Sequence, residues 1–313
     1  MSRALNKSIW QQRAKLLANI RQFFADRHVM EVETPLLCPH TVTDRYIESF
    51  AVPTNNGDQY LQTSPEYAMK RLLAAGSGPI YQICKAFRKE EPSTHHNPEF
   101  TMLEWYQPGF SDLQLMNELD ELMQATVGAK PATYITYQAA FLAALNIDPL
   151  SCSDLDLQKL IQQKMPDAAS VTLLNSGKDN LLSYCFTLWV ETSFLQTQPT
   201  FITHFPASQA ALAQINSEDP RTAKRFELYY QGLELANGFE ELTNPREQKN
   251  RFIADQNYRR ANHQFVPEID ESFIAALKMG LPACSGVALG VDRLLMCLTQ
   301  EKTFAHLIFN RLI

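Results

Sequence analysis

Two extended segments on either side of a polar loop constrain the fold of this chain more than any other feature. Residues 80–88 and 99–106 are rich in β-branched, aromatic and other apolar side chains, whereas residues 89–98 between them are polar and include two prolines. This pattern predicts two antiparallel strands joined by a long loop.

A second hairpin and several helices complete the expected fold. Residues 226–230 and 233–236 flank Gln231-Gly232, a dipeptide that suits a two-residue hairpin turn. We also expect helices at 8–28, from Ser64-Pro65 to Gly76, at 111–128 and at about 154–164, a strand from Gly280 to Leu289 that breaks at Gly290 into a helix, and no legible pattern between 130 and 200. Antiparallel hairpins with helices before and between them predict a single α+β domain over residues 1–313, with an antiparallel β-sheet flanked by helices.

Composition and charge exclude several classes of protein. Charged residues make up a fifth of the chain and are spread along it, which excludes intrinsic disorder, and no apolar run approaches the roughly 20 residues of a membrane span. The net charge of −6, with no Lys/Arg run longer than Arg259-Arg260, indicates no extended basic surface for nucleic acid. The chain shows no signal peptide or Walker loop, and its six cysteines are scattered, so we expect a cytoplasmic protein with free thiols.

The first hairpin carries charged side chains on a face that would normally be apolar. Strand alternation places Glu104 and Tyr106 on the same face as Phe100. A buried Glu104 without a partner would be costly, so it should face either a cation or water. On the preceding strand Arg88 and Glu90 share parity, which brings a guanidinium and a carboxylate to the mouth of the same sheet face. The alternative is a solvated strand edge with a surface ion pair.

The second hairpin repeats this concentration of acids. With a two-residue turn, Tyr229 faces Glu234, and Glu227 lies diagonal to Glu234 on the same face. Two such carboxylates repel each other unless a cation lies between them, and oxygen-only ligands suit a Mg²⁺ ion shared with substrate phosphates. The alternative is two exposed glutamates on a wet edge. Glu240 and Glu241 follow a few residues later, so negative charge is concentrated in this region.

Together the two hairpins suggest a site for nucleotidyl transfer to a carboxylate. They supply an arginine for phosphate, paired acids for magnesium, an aromatic ring for a base and further acids for a cationic ligand. Arg88 would neutralise the charge that develops on the attacked phosphorus, while the metal stabilises the departing pyrophosphate. No residue need act as a nucleophile.

Five segments, in the same order along the chain, resemble the class II aminoacyl-tRNA synthetases, and their sequences are most similar to those of the lysyl enzymes. The segments are Val32–Leu36 for the first motif, Arg88–Glu90 with His96–Glu104 for the second, Gly286–Arg293 for the third, and the lysyl-type stretches Thr63–Glu66 and Gly232–Leu242. The resemblance implies a class II catalytic domain that activates an amino acid with ATP. Because the first motif forms part of the dimer interface in that class, it also implies a homodimer.

The resemblance further implies roles for individual residues. It implies ATP binding by Arg88, Glu90, His96, Asn97, Phe100, Glu234, Leu235, Gly290 and Arg293, with Arg88, Glu90 and Arg293 as the catalytic residues. It implies magnesium binding by Glu227 and Glu234. It implies a lysine pocket lined by Ser64, Pro65, Glu66, Glu104, Tyr106, Asn237, Glu241 and Ala288. The acids among them would pair with the ammonium group of the substrate's side chain.

Two departures separate the chain from lysyl-tRNA synthetases. The first motif begins within the first ~40 residues, so we expect no N-terminal OB-fold of the kind that reads the anticodon. Ala288 stands where those enzymes have glycine, and its methyl group should reshape the pocket near the amino end of the substrate.

A core with these departures resembles the bacterial ligases that attach (R)-β-lysine to elongation factor P, a family of lysyl-tRNA synthetase paralogues without an anticodon-binding domain. That resemblance implies ATP and Mg²⁺ as cofactors and (R)-β-lysine or lysine as the substrate. It also implies elongation factor P as the protein acceptor and no role for tRNA or a membrane.

Three alternatives remain open at this point. A truncated enzyme could still charge tRNA or a small amine, although no anticodon reader is evident. An RNA-independent ligase of the asparagine synthetase kind should not retain acids suited to a cationic side chain. A catalytically inactive paralogue could serve as an amino-acid-binding subunit. A site that has lost its activity, however, has no reason to keep all five charged residues expected to bind ATP and magnesium.

Overall fold

The computed structural model describes residues 7–90, 93–194, 197–304 and 307. Its helices are α1 (Lys7–Ala25), α2 (Glu66–Ala74), α3 (Asp112–Val127), α4 (Tyr137–Leu145), α5 (Asp154–Lys164), α6 (Val171–Leu174), α7 (Lys178–Cys185), α8 (Pro245–Ala261), α9 (Glu271–Gly280) and α10 (Val291–Thr299). Its strands are β1 (Met30–Glu31), β2 (Leu37–Cys38), β3 (Ala51–Thr54), β4 (Gly57–Leu61), β5 (Ile80–Phe87), β6 (Glu99–Pro108), β7 (Thr133–Thr136), β8 (Thr200–Thr203), β9 (Arg225–Tyr230), β10 (Leu233–Glu240) and β11 (Cys284–Gly290). None of the helices in these ranges is long and apolar enough to cross a membrane.

The chain divides into two units, and the first is formed by the described residues of Met1–Ala129 and Glu240–Ile313. Its main strands lie in the order β1-β5-β6-β11. Strand β1 pairs with β5 in parallel, whereas β5 with β6 and β6 with β11 are antiparallel. A small separate sheet, β2-β4-β3, also belongs to this unit.

One face of strand β6 packs against helix α1, and its other face carries polar side chains. The fully buried Trp105 packs edge-on against Phe24 of α1 on one side. On the other side Glu104 accepts hydrogen bonds from Tyr106 and from Ser64, which precedes α2. The predicted alternation along this strand is therefore confirmed.

The second unit, Lys130–Phe239, has its own sheet and core. Its strands lie in the order β10-β9-β8-β7, with β7 and β8 parallel and the other pairs antiparallel. The helices pack through an apolar cluster centred on the stacked rings of Tyr137 and Phe186 and on Phe141. No pattern was legible between residues 130 and 200 because these helices are short, and α4 carries apolar residues on its exposed side as well, including Leu142.

The turn between β9 and β10 follows the prediction. Gln231 and Gly232 have φ angles of 53° and 73°, and two consecutive positive values are what a type I′ turn requires. Tyr229 pairs with Glu234 as expected, and a bulge that the pattern did not predict follows Glu234.

The helices predicted at 111–128 and 154–164 are confirmed as α3 and α5, and the first helix ends three residues early, at Ala25. Helix α2 also ends early, at Ala74 rather than Gly76, and the starts of two elements were wrong. The strand expected from Gly280 begins at Cys284, because α9 continues to Gly280 and ends there at a φ of 114°. Helix α2 begins at Glu66 with Pro65 rather than Ser64 in the capping position.

The predicted class is confirmed as α+β, with antiparallel strands flanked by helices, although two strand pairs are parallel. A single domain over residues 1–313, without an N-terminal OB-fold, stays a prediction.

Candidate active site

Three glutamates of the predicted lysine pocket come together in the first unit. Glu104 is buried in β6, and its carboxylate accepts hydrogen bonds from Tyr106 Oη at 2.6 Å and Ser64 Oγ at 2.8 Å. Glu66 stands in the first turn of α2, where its N–H donates to Ser64 Oγ at 3.0 Å. Glu241 follows directly after β10 and is also buried. The structure thus groups the predicted acids around one polar interior.

A lysine that the sequence prediction did not include lies inside this cluster. Lys70 Nζ is 2.6 Å from Glu66 Oε1 and 2.5 Å from Glu241 Oε2, and its side chain is only 1% exposed. Lys70 follows Glu66 by one helical turn, a spacing at which opposite charges commonly pair. The sequence therefore carried a signal for this first contact, whereas the contact with the distant Glu241 left none.

The surroundings favour the neutral form of two of these acids. Burial, and then the charge of Glu66, raise the pKa of Glu104 to about 7, against the hydrogen bond from Tyr106. Burial also raises the pKa of Glu241, and Lys70 opposes that rise. Burial alone would lower the pKa of Lys70, but the carboxylates of Glu241 and Glu66 outweigh it and the pKa is raised. A cationic ligand in this pocket would favour the ionised acids.

Strand β11 forms a wall beside the acids. Gly286 pairs with Tyr106, and Ala288 pairs with Glu104. Paired residues of antiparallel strands face the same side, so Ala288 shares the face of Glu104. A β-carbon at Gly286 would lie 2.2 Å from the Tyr106 ring and 2.6 Å from Glu241 Oε1. Glycine at this position is what lets the two side chains approach the strand.

Arg88 stands just beyond the end of β5 at Phe87, with its guanidinium carbon 5.3 Å from the centroid of the Phe100 ring. Its Nε is buried and has no hydrogen-bond partner within the described part of the chain. Because such a nitrogen is costly to leave unpaired, the position suits an anion such as a phosphate group. The expectation that Arg88 and Glu90 share a strand face was wrong. The strand ends first, and Glu90 is exposed with its N–H bonded to the Arg88 carbonyl at 2.9 Å.

Two residues expected to bind ATP contact each other. Arg293 Nη2 lies 2.8 Å from His96 Nε2, and His96 Nδ1 lies 3.0 Å from Ser93 Oγ. Because a guanidinium only donates, His96 accepts at Nε2 and carries its proton at Nδ1. Nearby in the chain, Asn97 Nδ2 donates to the Glu99 carbonyl at 2.6 Å.

The start of α10 is anchored by residues outside the predicted site. Asp292 is buried in the first turn of α10, with one carboxylate oxygen 2.6 Å from Arg13 Nη1 of α1 and the other accepting the Thr101 N–H of β6 at 2.6 Å. Arg13 Nη2 also donates to Thr101 Oγ1 at 2.7 Å. These bonds tie the helix to α1 and β6 beside Gly290, which caps it, and Arg293.

In the second unit Glu227 is buried between two donors. Arg225 Nη2 lies 2.5 Å from its Oε1, and Tyr229 Oη donates to its Oε2 at 2.6 Å. Burial raises the pKa of Glu227, Arg225 opposes the rise, and the charge of Glu234 adds to it, which fits the predicted diagonal arrangement. Arg225 Nε also donates to Asn237 Oδ1 at 3.2 Å, so this arginine holds two of the predicted site residues.

The pair Glu227 and Glu234 fits the ligand chemistry of Mg²⁺ as far as two residues can. Both offer hard carboxylate oxygens on one face of the hairpin, and Leu235 lies buried in the bulge after Glu234. Over residues 7–90, 93–194, 197–304 and 307 no group of three or more His, Cys, Asp or Glu side chains could hold a metal ion. A magnesium ion here would need oxygens from a ligand such as ATP phosphates, and its binding stays a prediction.

Comparison with known proteins agrees with this fold. Residues 1–309 match the family described as tRNA synthetases class II (D, K and N). The chain belongs to this family of class II synthetases.

Three relatives with the same name show which members of the family this chain is similar to. The elongation factor P–(R)-β-lysine ligase of Pseudoalteromonas translucida (strain TAC 125) is 51% identical over 304 residues, which covers 95% of this chain and 93% of that protein. Proteins of the same name from Salmonella typhi and Salmonella paratyphi B (strain ATCC BAA-1250 / SPB7) are 49% identical over 303 residues, with the same coverage of both chains. The resemblance to these ligases, drawn first from five motifs, is confirmed over almost the full length.

Proposed function

We propose that this protein is a ligase that activates (R)-β-lysine with ATP and transfers it to the ε-amino group of a lysine on elongation factor P. In the first step a carboxylate oxygen of the amino acid attacks the α-phosphorus of ATP and diphosphate leaves. In the second step the acceptor amine attacks the carbonyl carbon, loses a proton and displaces AMP, so that an amide bond forms. The names of relatives that are about half identical to this chain support both the substrate and the acceptor.

The observation that carries the proposal is the cluster of the buried Glu104 and Glu241 with the partly buried Glu66, two of which pair with the cation Lys70. Such an excess of buried carboxylates is costly unless a cation joins it, because each charge loses its hydration. An amino acid with a second ammonium group on its side chain supplies that charge. An asparagine-type substrate does not.

The residues around Arg88 suit the nucleotide. The unpartnered Nε of Arg88 suits the α-phosphate, and Phe100 beside its guanidinium would stack on the adenine. Arg293 would close the other face of the base, and His96, which it contacts, would lie near the β- and γ-phosphates. Because guanidinium groups keep their charge at all working pH values, they stabilise negative charge that develops during phosphoryl attack without moving a proton.

Glu227 and Glu234 would hold Mg²⁺. When bound, the ion would supply charge stabilisation on the phosphate oxygens. In the chain itself, Arg225 and Tyr229 fix the orientation of the Glu227 carboxylate.

The proposal assigns the reaction to the cytoplasm, where translation takes place, and it needs no tRNA. A homodimer, expected from the first motif, forms part of the same proposal and is open to measurement by light scattering.

Intact-mass spectrometry of purified elongation factor P tests the proposal. The factor would be incubated with this protein, ATP, Mg²⁺ and (R)-β-lysine, and we expect a gain of one lysyl unit that is lost without ATP and in an Arg88→Ala control. No gain, with lysine-dependent ATP–pyrophosphate exchange intact, would contradict the acceptor while leaving adenylate formation in place. In that case tRNA or a small amine would be the next acceptor to test.

A further inference from the structure

Lys70 occupies the interior of a pocket that should attract cations. Its ammonium group is buried between Glu66 of α2 and Glu241, at 2.6 and 2.5 Å. The backbone of Glu241 is itself fixed, because its N–H donates to the Cys284 carbonyl at the start of β11 at 2.9 Å. Lys70 therefore connects a helix to a distant segment beside β11, and both of its partners are expected to bind the substrate.

The formal charges show that Lys70 balances only part of the negative charge of the cluster. Among the described residues, the three carboxylates of Glu66, Glu104 and Glu241 lie around the ammonium group of Lys70, so these four groups together carry a net charge of −2 when all of them are ionised. The hydrogen-bond donors to Glu104 are neutral hydroxyl groups. Among the described residues, four thiols and phenols also lie beside the cluster, and burial raises their pKa so that they are neutral: Cys84, Cys284, Tyr67 and Tyr106.

We infer that Lys70 is a positioning residue that fixes the carboxylates of Glu66 and Glu241, and that its single positive charge leaves room among the three acids for a substrate with two ammonium groups. The inference rests on the proposed function and adds the residue that sets its selectivity. Without Lys70, three neighbouring carboxylates, two of them buried, repel one another, and at least one takes up a proton instead of attracting the substrate. With Lys70 present, a substrate with one ammonium group leaves a buried carboxylate without a counter-charge.

The substitution Lys70→Met tests this role by ATP–pyrophosphate exchange between about pH 6 and pH 9. At neutral pH we expect the KM for (R)-β-lysine to rise about 10- to 100-fold, as for lost charge-assisted hydrogen bonds, with the KM for ATP unchanged. The rise should shrink towards alkaline pH, because acids that have lost their counter-charge ionise only there. Lys70→Arg restores the cation and should recover most of the affinity.

Selectivity gives a second readout. The compound 3-aminohexanoate lacks the second ammonium group of β-lysine, and the wild-type protein should strongly prefer β-lysine over it. In Lys70→Met this preference should fall, since a protonated acid no longer requires a second cation. A purely structural role would lower the activity with both compounds and leave the ratio and its pH dependence unchanged, which would overturn the inference.

Controls separate the possible failures. Lys249→Met removes an exposed lysine that lies 2.6 Å from Glu271, and it should change neither KM. If circular dichroism shows that Lys70→Met is unfolded, Lys70→Gln, which can still donate to one carboxylate, carries the same expectations. A folded Lys70 variant with an unchanged KM for β-lysine would refute the inference alone. Wild-type protein without β-lysine-dependent exchange at any pH would refute the proposed function instead.

Discussion

The ion pair between Arg13 and the buried Asp292 yields a quantitative test of how the first unit is held together. The substitution Asp292→Asn keeps the shape of the side chain and one acceptor oxygen but removes its negative charge. Arg13, whose side chain is 24% exposed, then keeps its charge without a counter-ion, and the buried N–H of Thr101 loses a charged acceptor. The change should therefore destabilise the fold.

The size of the effect follows from burial. Removing one partner of a buried pair typically costs about 3–5 kcal/mol. Asparagine can still accept one hydrogen bond and Arg13 retains some contact with water, so we expect the lower end of that range, about 3 kcal/mol. Loss of a favourable charge from the first turn of α10 adds less than about 1 kcal/mol.

Glu271→Gln is a matched control for this test. Glu271 also stands in the first turn of a helix, α9, and lies 2.6 Å from Lys249, but both of these side chains are well exposed. An exposed pair contributes at most about 1 kcal/mol. Urea titration should therefore give a free energy of unfolding that falls about three times further in Asp292→Asn. Equal losses in the two variants would refute the reasoning that burial sets the cost.

Three further substitutions probe the site itself. Gly286→Ala would drive a methyl group into the Tyr106 ring, so thermal unfolding should show a loss of about 1–3 kcal/mol and exchange assays a higher KM for β-lysine, whereas wild-type values would contradict the tight contact. Arg88→Lys keeps the charge but loses the planar group beside Phe100, and the kcat of pyrophosphate exchange should fall about 100-fold; an unchanged kcat would exclude a role at the phosphate. Ala288→Gly should shift preference from β-lysine towards α-lysine, and an unchanged ratio of the two activation rates would disprove our account of that position.

The parts of the fold that the sequence predicted well depend on neighbouring residues. The two-residue alternation that placed Glu104 and Tyr106 on one face is a property of any single strand, and the turn at Gln231-Gly232 is signalled by a glycine that takes a positive φ without steric cost. The identities of the candidate site residues came from motif resemblance. Their assignment to ATP, magnesium and lysine stays a prediction, although the geometry groups the acids as that assignment requires.

The parts that were missed depend on contacts between distant segments. The pairing of Lys70 with Glu241, and of Arg13 with Asp292, is decided by how helices pack on the sheet, and no single segment records it. The misplaced strand start at Gly280 has a local cause: a glycine with positive φ is as typical of a helix end as of a strand boundary. Short helices without a clear amphipathic period hid the architecture of residues 130–200 for a similar reason.

The attraction of the pocket for a cation depends on its net charge, which is the charge of its ionised acids less that of Lys70. A count of its acids alone overestimates this attraction. From the sequence alone, Glu66, Glu104 and Glu241 could be assigned to the ammonium group of a substrate, as if all three were available to it. The structure shows that two of them already share the ammonium of Lys70, while burial favours the neutral form of Glu104. If the cluster binds a diamino acid as proposed, we therefore expect the affinity to arise from ionisation that the substrate itself induces, because its ammonium groups supply the counter-charge that makes full ionisation of the cluster favourable.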